Sequence, residues 1–315
     1  MNLNKAAKVI VNTCLGIEKN ERVLVLTDSK KLDIAEIILD ESTEVAKYSK
    51  LLEKEIGVRD GEEPSKVIAK EMLNYDVIIA PTTHSISHTN ARINACKKGI
   101  RVATMPGITK EMMNRCINLD YNKMSKLIDN LRDVIKNGNE MNITTKLGTD
   151  LSFLFKGRLI HGDKGIITEE GDFGNLPAGE VDFAPLEKSS NGVYIVDGSH
   201  AGLGKVSNLK FEVKKGFAKR ITGYNSDKLI KLLNSVKNKN AYNIAELGIG
   251  TNSKAKITGD ILEDEKIKGT CHLALGNNKT YGGKVNVPIH LDGVIKNPSI
   301  FVDDEEIMRK GKFKL

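Results

Sequence analysis

Three short apolar runs, ERVLVLTD, DVIIAP and RVATMPG, recur between Glu21 and Gly107 with helix-patterned segments between them. That alternation constrains the fold more than any other feature of the chain. Each run is too brief for a helix and apolar at consecutive positions, which is the mark of a strand covered on both faces. Leu3, Ala7, Ile10 and Cys14 recur at helical spacing before Gly16 and predict an N-terminal amphipathic helix. Residues 32–47 and 89–98 read as further helices, and residues 50–56 as a strand. Glu62-Glu63-Pro64 opens another helix, running to Leu73 with proline in its first turn. The expected architecture is a Rossmann-like parallel sheet with helices on both faces. No G-x-G-x-x-G follows a strand, so a dinucleotide site has no support. A helix carrying Met124, Leu127, Ile128, Leu131 and Val134 closes this half, and Asn137-Gly138-Asn139 marks a boundary between domains 1–138 and 139–315.

The second half has a different texture. NITTKLGTDLSFLFKGR alternates about a Gly-Thr turn like a hairpin, and short strands with glycine-rich turns follow. One helix stands out, residues 226–237, with Leu229, Leu232, Leu233 and Val236. A β-rich, mostly antiparallel domain is expected, and the chemistry-bearing residues lie in it. His290 and Asp292 in PIHLDGVI are separated by one residue, so in a strand they point to the same face. His272 sits in the neighbouring apolar run CHLAL. Two histidines and a carboxylate on adjacent strands suit a first-row metal with positions left open for substrate. Glu246, in IAELGIG, is apolar on both sides, and a buried carboxylate needs a metal, an arginine or a proton. We take the metal.

Other polar residues read more plainly on their own. Glu180, after the Pro-Ala-Gly turn of GNLPAGEVDFAP, looks like a surface glutamate. His161-Gly162-Asp163 repeats the His-x-Asp spacing among charged and glycine residues, as an exposed turn would. Glu263-Asp264-Glu265 reads as a solvated loop from which one member can turn inward. Tyr281, in TYGG, either steadies an oxyanion or ends a strand. His84 and His88 fall in a loop where Ser87 or Thr89 caps the next helix.

The 315 residues carry a net charge of +7, but the lysines are dispersed. With only 5% aromatic residues and no tryptophan, a base-stacking surface is not expected, and nucleic acid is set aside as a partner. No apolar run approaches the roughly 20 residues of a membrane span. The N-terminus lacks a clean signal-peptide core, so a cytoplasmic protein is expected. The four cysteines form no Cys-x-x-Cys pair, and Cys271 should face away from His272 as a small buried residue.

Taken together, GNLPAGEV, AELGIGTN, GDILEDEKIKGTCHLALG and IHLDGVI, in that order, resemble the thermophilic aminopeptidase family of metallopeptidases. That family includes aminopeptidase T, aminopeptidase S and the related leucyl aminopeptidases. IAPTTHSISHTNAR and RVATMPGIT extend the resemblance to the first half, so it covers most of the chain. It implies a homodimer with two divalent ions (zinc, cobalt or manganese) in the second domain of each chain, hydrolysing N-terminal residues from short peptides. By the same carry-over, Glu180 is a terminal ligand and Glu246 bridges the ions. Glu265, His272, His290 and Asp292 complete the metal set. Glu180 or Glu265 moves the proton, and Tyr281 steadies the oxyanion. Two alternatives use the same scaffold. His272, His290 and Asp292 alone form the set of a mononuclear non-haem Fe(II) enzyme, and ring-opening dioxygenases of dihydroxypyridines are similar to this family in that respect. The other alternative is a non-catalytic binding protein. Retention of both Glu180 and Glu246 favours the hydrolase.

Overall fold

The apolar runs of the first half become parallel strands Arg22–Asp28, Val77–Thr82 and Arg101–Pro106, with Tyr48–Lys54 beside the first of them. The structure, a computed structural model, describes residues 2–315. Leu24, Leu26, Ile78, Ala80 and Val102 share one hydrophobic core with Met72, Tyr75 and Ala95. The alternate positions Val23, Val25, Val77, Ile79 and Ala103 are equally buried, so both faces are covered, as the unbroken apolar runs predict. A fifth parallel strand, Phe173–Asn175, pairs with Arg101–Pro106. Sequence reading misses it because it is three residues long and arrives from far along the chain.

Local chemistry sets the helix ends. Thr89 caps Asn90–Lys97 by accepting from the Arg92 amide. Helix Lys66–Met72 begins later than expected, capped by Ser65, and Pro64 lies outside it. Glu63 instead accepts from the backbone amides of Asn90 and Ala91 at the start of the next helix. The N-terminal helix starts as an α-helix at Leu3–Lys8 and widens to a π-helix at Val9–Cys14.

The chain forms two compact units: residues up to Leu119 with Gly165–Ala178, and Asp120–Lys164 with Gly179–Leu315. Helix Tyr121–Ile135 and the Asn137-Gly138-Asn139 segment both fall in the second unit. That unit holds two sheets. One has eight strands and includes the expected hairpin, Glu140–Thr144 with Asp150–Leu154. The other has seven antiparallel strands; five of them run, in spatial order towards one edge, His290–Lys296, Thr270–Gly276, Ile244–Gly250, Glu180–Phe183 and His161–Asp163. Phe153 and Phe155 of the first sheet's side meet Phe183 of the second at ring distances of 6.3 and 5.0 Å.

Strands Glu180–Phe183, Ile244–Gly250 and Thr270–Gly276 are buried at every position. An antiparallel sheet commonly leaves one face to water. Here that second face is also enclosed, although it carries ionisable residues. A β-carbon on Gly250 would come within 2.1 Å of the Ile267 carbonyl oxygen. The strand end can therefore be crossed closely by Lys266 and Ile267 only while this position is glycine. Gly250→Ala is expected to lower stability by about 1–3 kcal/mol through overpacking, read as a reduced urea midpoint at unchanged slope. An unchanged midpoint would show that the crossing segment relaxes freely.

Candidate metal centre

Strand register decides which side chains meet. Gly248 pairs with both Asp182 and His272, Ala274 with Asp292, Gly276 with His290, and Gly250 with Glu180. Glu180, Asp182, Glu246, His272, His290 and Asp292 consequently project from one face, with small residues between them. A β-carbon at Gly248 would lie 2.1–2.2 Å from Cε1 and Nε2 of His272. The imidazole thus lies across the position where a side chain would otherwise stand.

His272 Nε2 is 3.5 Å from Glu246 Oε1 and 3.7 Å from Glu180 Oε2. His290 Nε2 is 2.9 Å from Glu246 Oε2 and 3.3 Å from Asp292 Oδ1. The other nitrogen of His290, Nδ1, lies 2.7 Å from the Asn277 carbonyl and donates to it, which fixes the tautomer and turns the Nε2 lone pair to the carboxylates. A lone pair facing two carboxylates needs a proton or a cation between them. Burial alone would lower the pKa of both histidines. The surrounding carboxylates outweigh it, pushing His272 up to about 10 and His290 well above its ordinary value. Burial likewise favours protonation of Glu246, yet His272 and His290 hold its carboxyl far below the usual range.

Two overlapping groups place their ligand atoms within 4.8 Å of one another: Glu246, His290 and Asp292, and Glu265, His272 and Asp292. Glu180 Oε2, Glu246 Oε2, His272 Nδ1, His290 Nε2 and Asp292 Oδ1 are buried without a hydrogen-bond partner. Such atoms are costly unless something pairs with them. Imidazole and carboxylate donors in this arrangement fit a first-row divalent metal, and two histidines with one carboxylate suit Fe(II). Tyr281, in the turn Lys279–Tyr281, stacks on His290 at 5.2 Å and 21°. Burial and the nearby carboxylates push its hydroxyl pKa well above the ordinary value.

Glu180 is not the surface residue its local sequence suggests; it is 8% exposed and bonded to the ammonium of Lys266. Lys266 also reaches Glu265 Oε1 at 2.9 Å and Asp163 Oδ2 at 4.0 Å. His161 and Asp163 are not in a free turn but form the sheet's edge strand, and His161 Nδ1 is 3.1 Å from Asp182 Oδ2. That hydrogen bond pushes the exposed His161 up to about 9. Sequence reading misses Lys266, Asp182 and this edge pair. The alternation in Glu180-Val181-Asp182 is a signal for Asp182, since it puts both carboxylates on one face; nothing local marks a lysine after an acidic run as buried. Cys271 faces the opposite side, as expected, and burial raises its thiol pKa. His84 lies in the other unit, 3.3 Å from Asp60. Gly248→Ala should displace the His272 ring and weaken metal affinity by on the order of 10- to 100-fold, measured by competition with a chromophoric chelator. Affinity equal to wild type would remove His272 from the ligand set.

Over 192 residues the chain is 23% identical to the 2,5-dihydroxypyridine 5,6-dioxygenase of Pseudomonas putida (strain KT2440), a match covering 56% of this chain and 55% of that protein. The matched stretch thus spans about half of the relative's length. The solved structure of 2,5-dihydroxypyridine dioxygenase from Pseudomonas putida KT2440 superposes with a TM-score of 0.86 at 18% identity, covering 99% of this chain and 96% of that one. Wild-type AmpT from Thermus thermophilus superposes with a TM-score of 0.76 at 14% identity, covering 100% and 99%. At these identities both superpositions establish the fold alone. The aminopeptidase likeness is therefore one of fold, and the expected hydrolase activity is overturned at the level of sequence. The motifs that suggested a peptidase encode a strand framework and a carboxylate–imidazole face, which serve more than one reaction. With the hydrolase go the protease assignment and the short-peptide substrates. The sequence model of the family described as NicX: 2,5-dihydroxypyridine 5,6-dioxygenase matches residues 16–315, nearly the whole chain, and the chain belongs to that family.

Proposed function

We propose that this protein is a metal-dependent dioxygenase that opens a hydroxylated pyridine ring, with one Fe(II) held by His272, His290 and Asp292. The observation that carries the reading is that each of these residues has a buried atom without a hydrogen-bond partner on one enclosed sheet face, in two ligand groups that share Asp292. Membership of the dioxygenase family supports it. One ion, rather than the two zinc, cobalt or manganese ions of the peptidase expectation, is favoured because Lys266 already binds Glu180 and Glu265. When bound, iron would supply the one-electron chemistry that lets dioxygen react with an aromatic ring.

The chain's own groups orient and discriminate. Asn277 fixes the His290 tautomer. Glu246 lies beside both histidines as a carboxylate and can accept a hydrogen bond from a ring hydroxyl. Tyr281 keeps its phenol protonated and donates to an anionic ring oxygen, and its stacking restrains the His290 plane. The turn that carries Tyr281 is itself clamped. Glu187 accepts from the Lys284 amide at 2.7 Å and from Asn278 Nδ2 at 3.1 Å, and Arg158 binds Glu187 at 2.6 Å and the Gly282 carbonyl. Enclosure of the face limits water around the reacting groups.

Protein loaded anaerobically with Fe(II) and mixed with 2,5-dihydroxypyridine is expected to consume one O2 per ring lost, followed by an oxygen electrode and the aromatic absorbance. His272→Ala, His290→Ala and Asp292→Ala should each reduce turnover by on the order of 100-fold or more through loss of the ion. Glu246→Ala should still bind one ion, because that residue is not required to hold it. Iron bound at full occupancy with no oxygen uptake would refute the dioxygenase assignment for this ring.

A further inference from the structure

Among the described residues, Lys266 is the one ammonium within the buried face, 2% exposed, and it sits among three carboxylates. It binds Glu180, reaches Glu265 Oε1 at 2.9 Å and approaches Asp163 Oδ2 at 4.0 Å. Glu265 is also a member of the second group of converging donors, with His272 and Asp292. Glu180 Oε2, the oxygen opposite that held by the lysine, is buried, unpartnered and 3.7 Å from His272 Nε2. Three carboxylates, Asp163, Glu180 and Glu265, are thus gathered beside the first ligand set, as many protein ligands as a second divalent ion with open positions takes. Lys266 fills that place with a charge the protein supplies itself.

We propose that the Lys266 ammonium is a built-in substitute for a second metal ion, and that it fixes the stoichiometry of this centre at one ion per chain. The inference rests on the reading in which His272, His290 and Asp292 hold the first ion. An ammonium meets the carboxylates with hydrogen bonds and a single positive charge, without offering an open coordination position. Delivery of the lysine depends on the backbone. The Lys266 carbonyl accepts from the Asn252 amide at 2.8 Å, and Gly250 permits the close crossing of the segment. The ammonium is therefore held at the carboxylates from a fixed piece of chain.

Titration of full-length protein with Co(II) alone, followed by visible absorption and elemental analysis after gel filtration, tests this directly. Wild type is expected to bind one ion, Lys266→Arg one, and Lys266→Met two. One ion in both wild type and folded Lys266→Met would overturn the substitute role and leave the first site standing. Two ions in wild type would overturn it as well. None in any of these proteins would overturn the metal centre and this inference with it. Should Lys266→Met fail to fold, Glu180→Gln gives an independent answer. It is expected to keep one ion with affinity within threefold of wild type, since Glu180 is not among the three proposed ligands of the first ion. A loss of the ion in Glu180→Gln would make Glu180 a ligand and overturn the proposal.

Discussion

Glu180, Asp182, Glu246, Glu265 and Asp292 bring their carboxylates into one enclosed region of an antiparallel sheet, and each must find a positive partner there. Removing a charge from water costs several kcal/mol unless geometry returns it. The compensation is divided by position. At the edge, His161 serves Asp182; in the middle, Lys266 serves Glu180 and Glu265; His272 and His290 face Glu246 and Asp292. Only the last group leaves buried donor atoms of both partners without hydrogen bonds. That imbalance marks the candidate metal centre more sharply than residue types do, because the outer carboxylates already have positive partners.

The backbone makes this concentration of charge possible. Small residues stand where the ionisable side chains must lie: Gly248 beneath the His272 ring, Ala274 between Glu246 and Asp292, Gly250 under the crossing that delivers Lys266. These glycines are needed for space; neither Gly248 nor Gly250 has a left-handed backbone. Charge and vacancy alternate across the sheet, and each depends on the other. The Glu187–Arg158 clamp extends the same logic outward, using a half-buried ion pair to hold the turn that places Tyr281 on His290.

A shared scaffold explains why the motifs pointed to a peptidase. AmpT and the dioxygenase both superpose on this chain over nearly their full lengths, so the strand framework itself does not select a reaction. In this chain the charges on that face are met by His161, Lys266, His272 and His290. An ammonium in place of a second cation changes the number of ions the face admits, and with it the chemistry the face can support.

Much of the architecture could be read from the residues alone. Consecutive apolar positions in ERVLVLTD, DVIIAP and RVATMPG require cover on both faces, and the parallel sheet follows. Period-two spacing put His290 and Asp292 on one face, and the apolar setting of Glu246 announced its burial. Those signals are local, set by the geometry of a single strand. The fifth parallel strand, the edge position of His161 and Asp163, and the burial of Glu180 and Lys266 were decided only by tertiary structure. Each depends on pairing between segments far apart in the chain, and the charge of a lysine carries no record of which distant carboxylates will surround it.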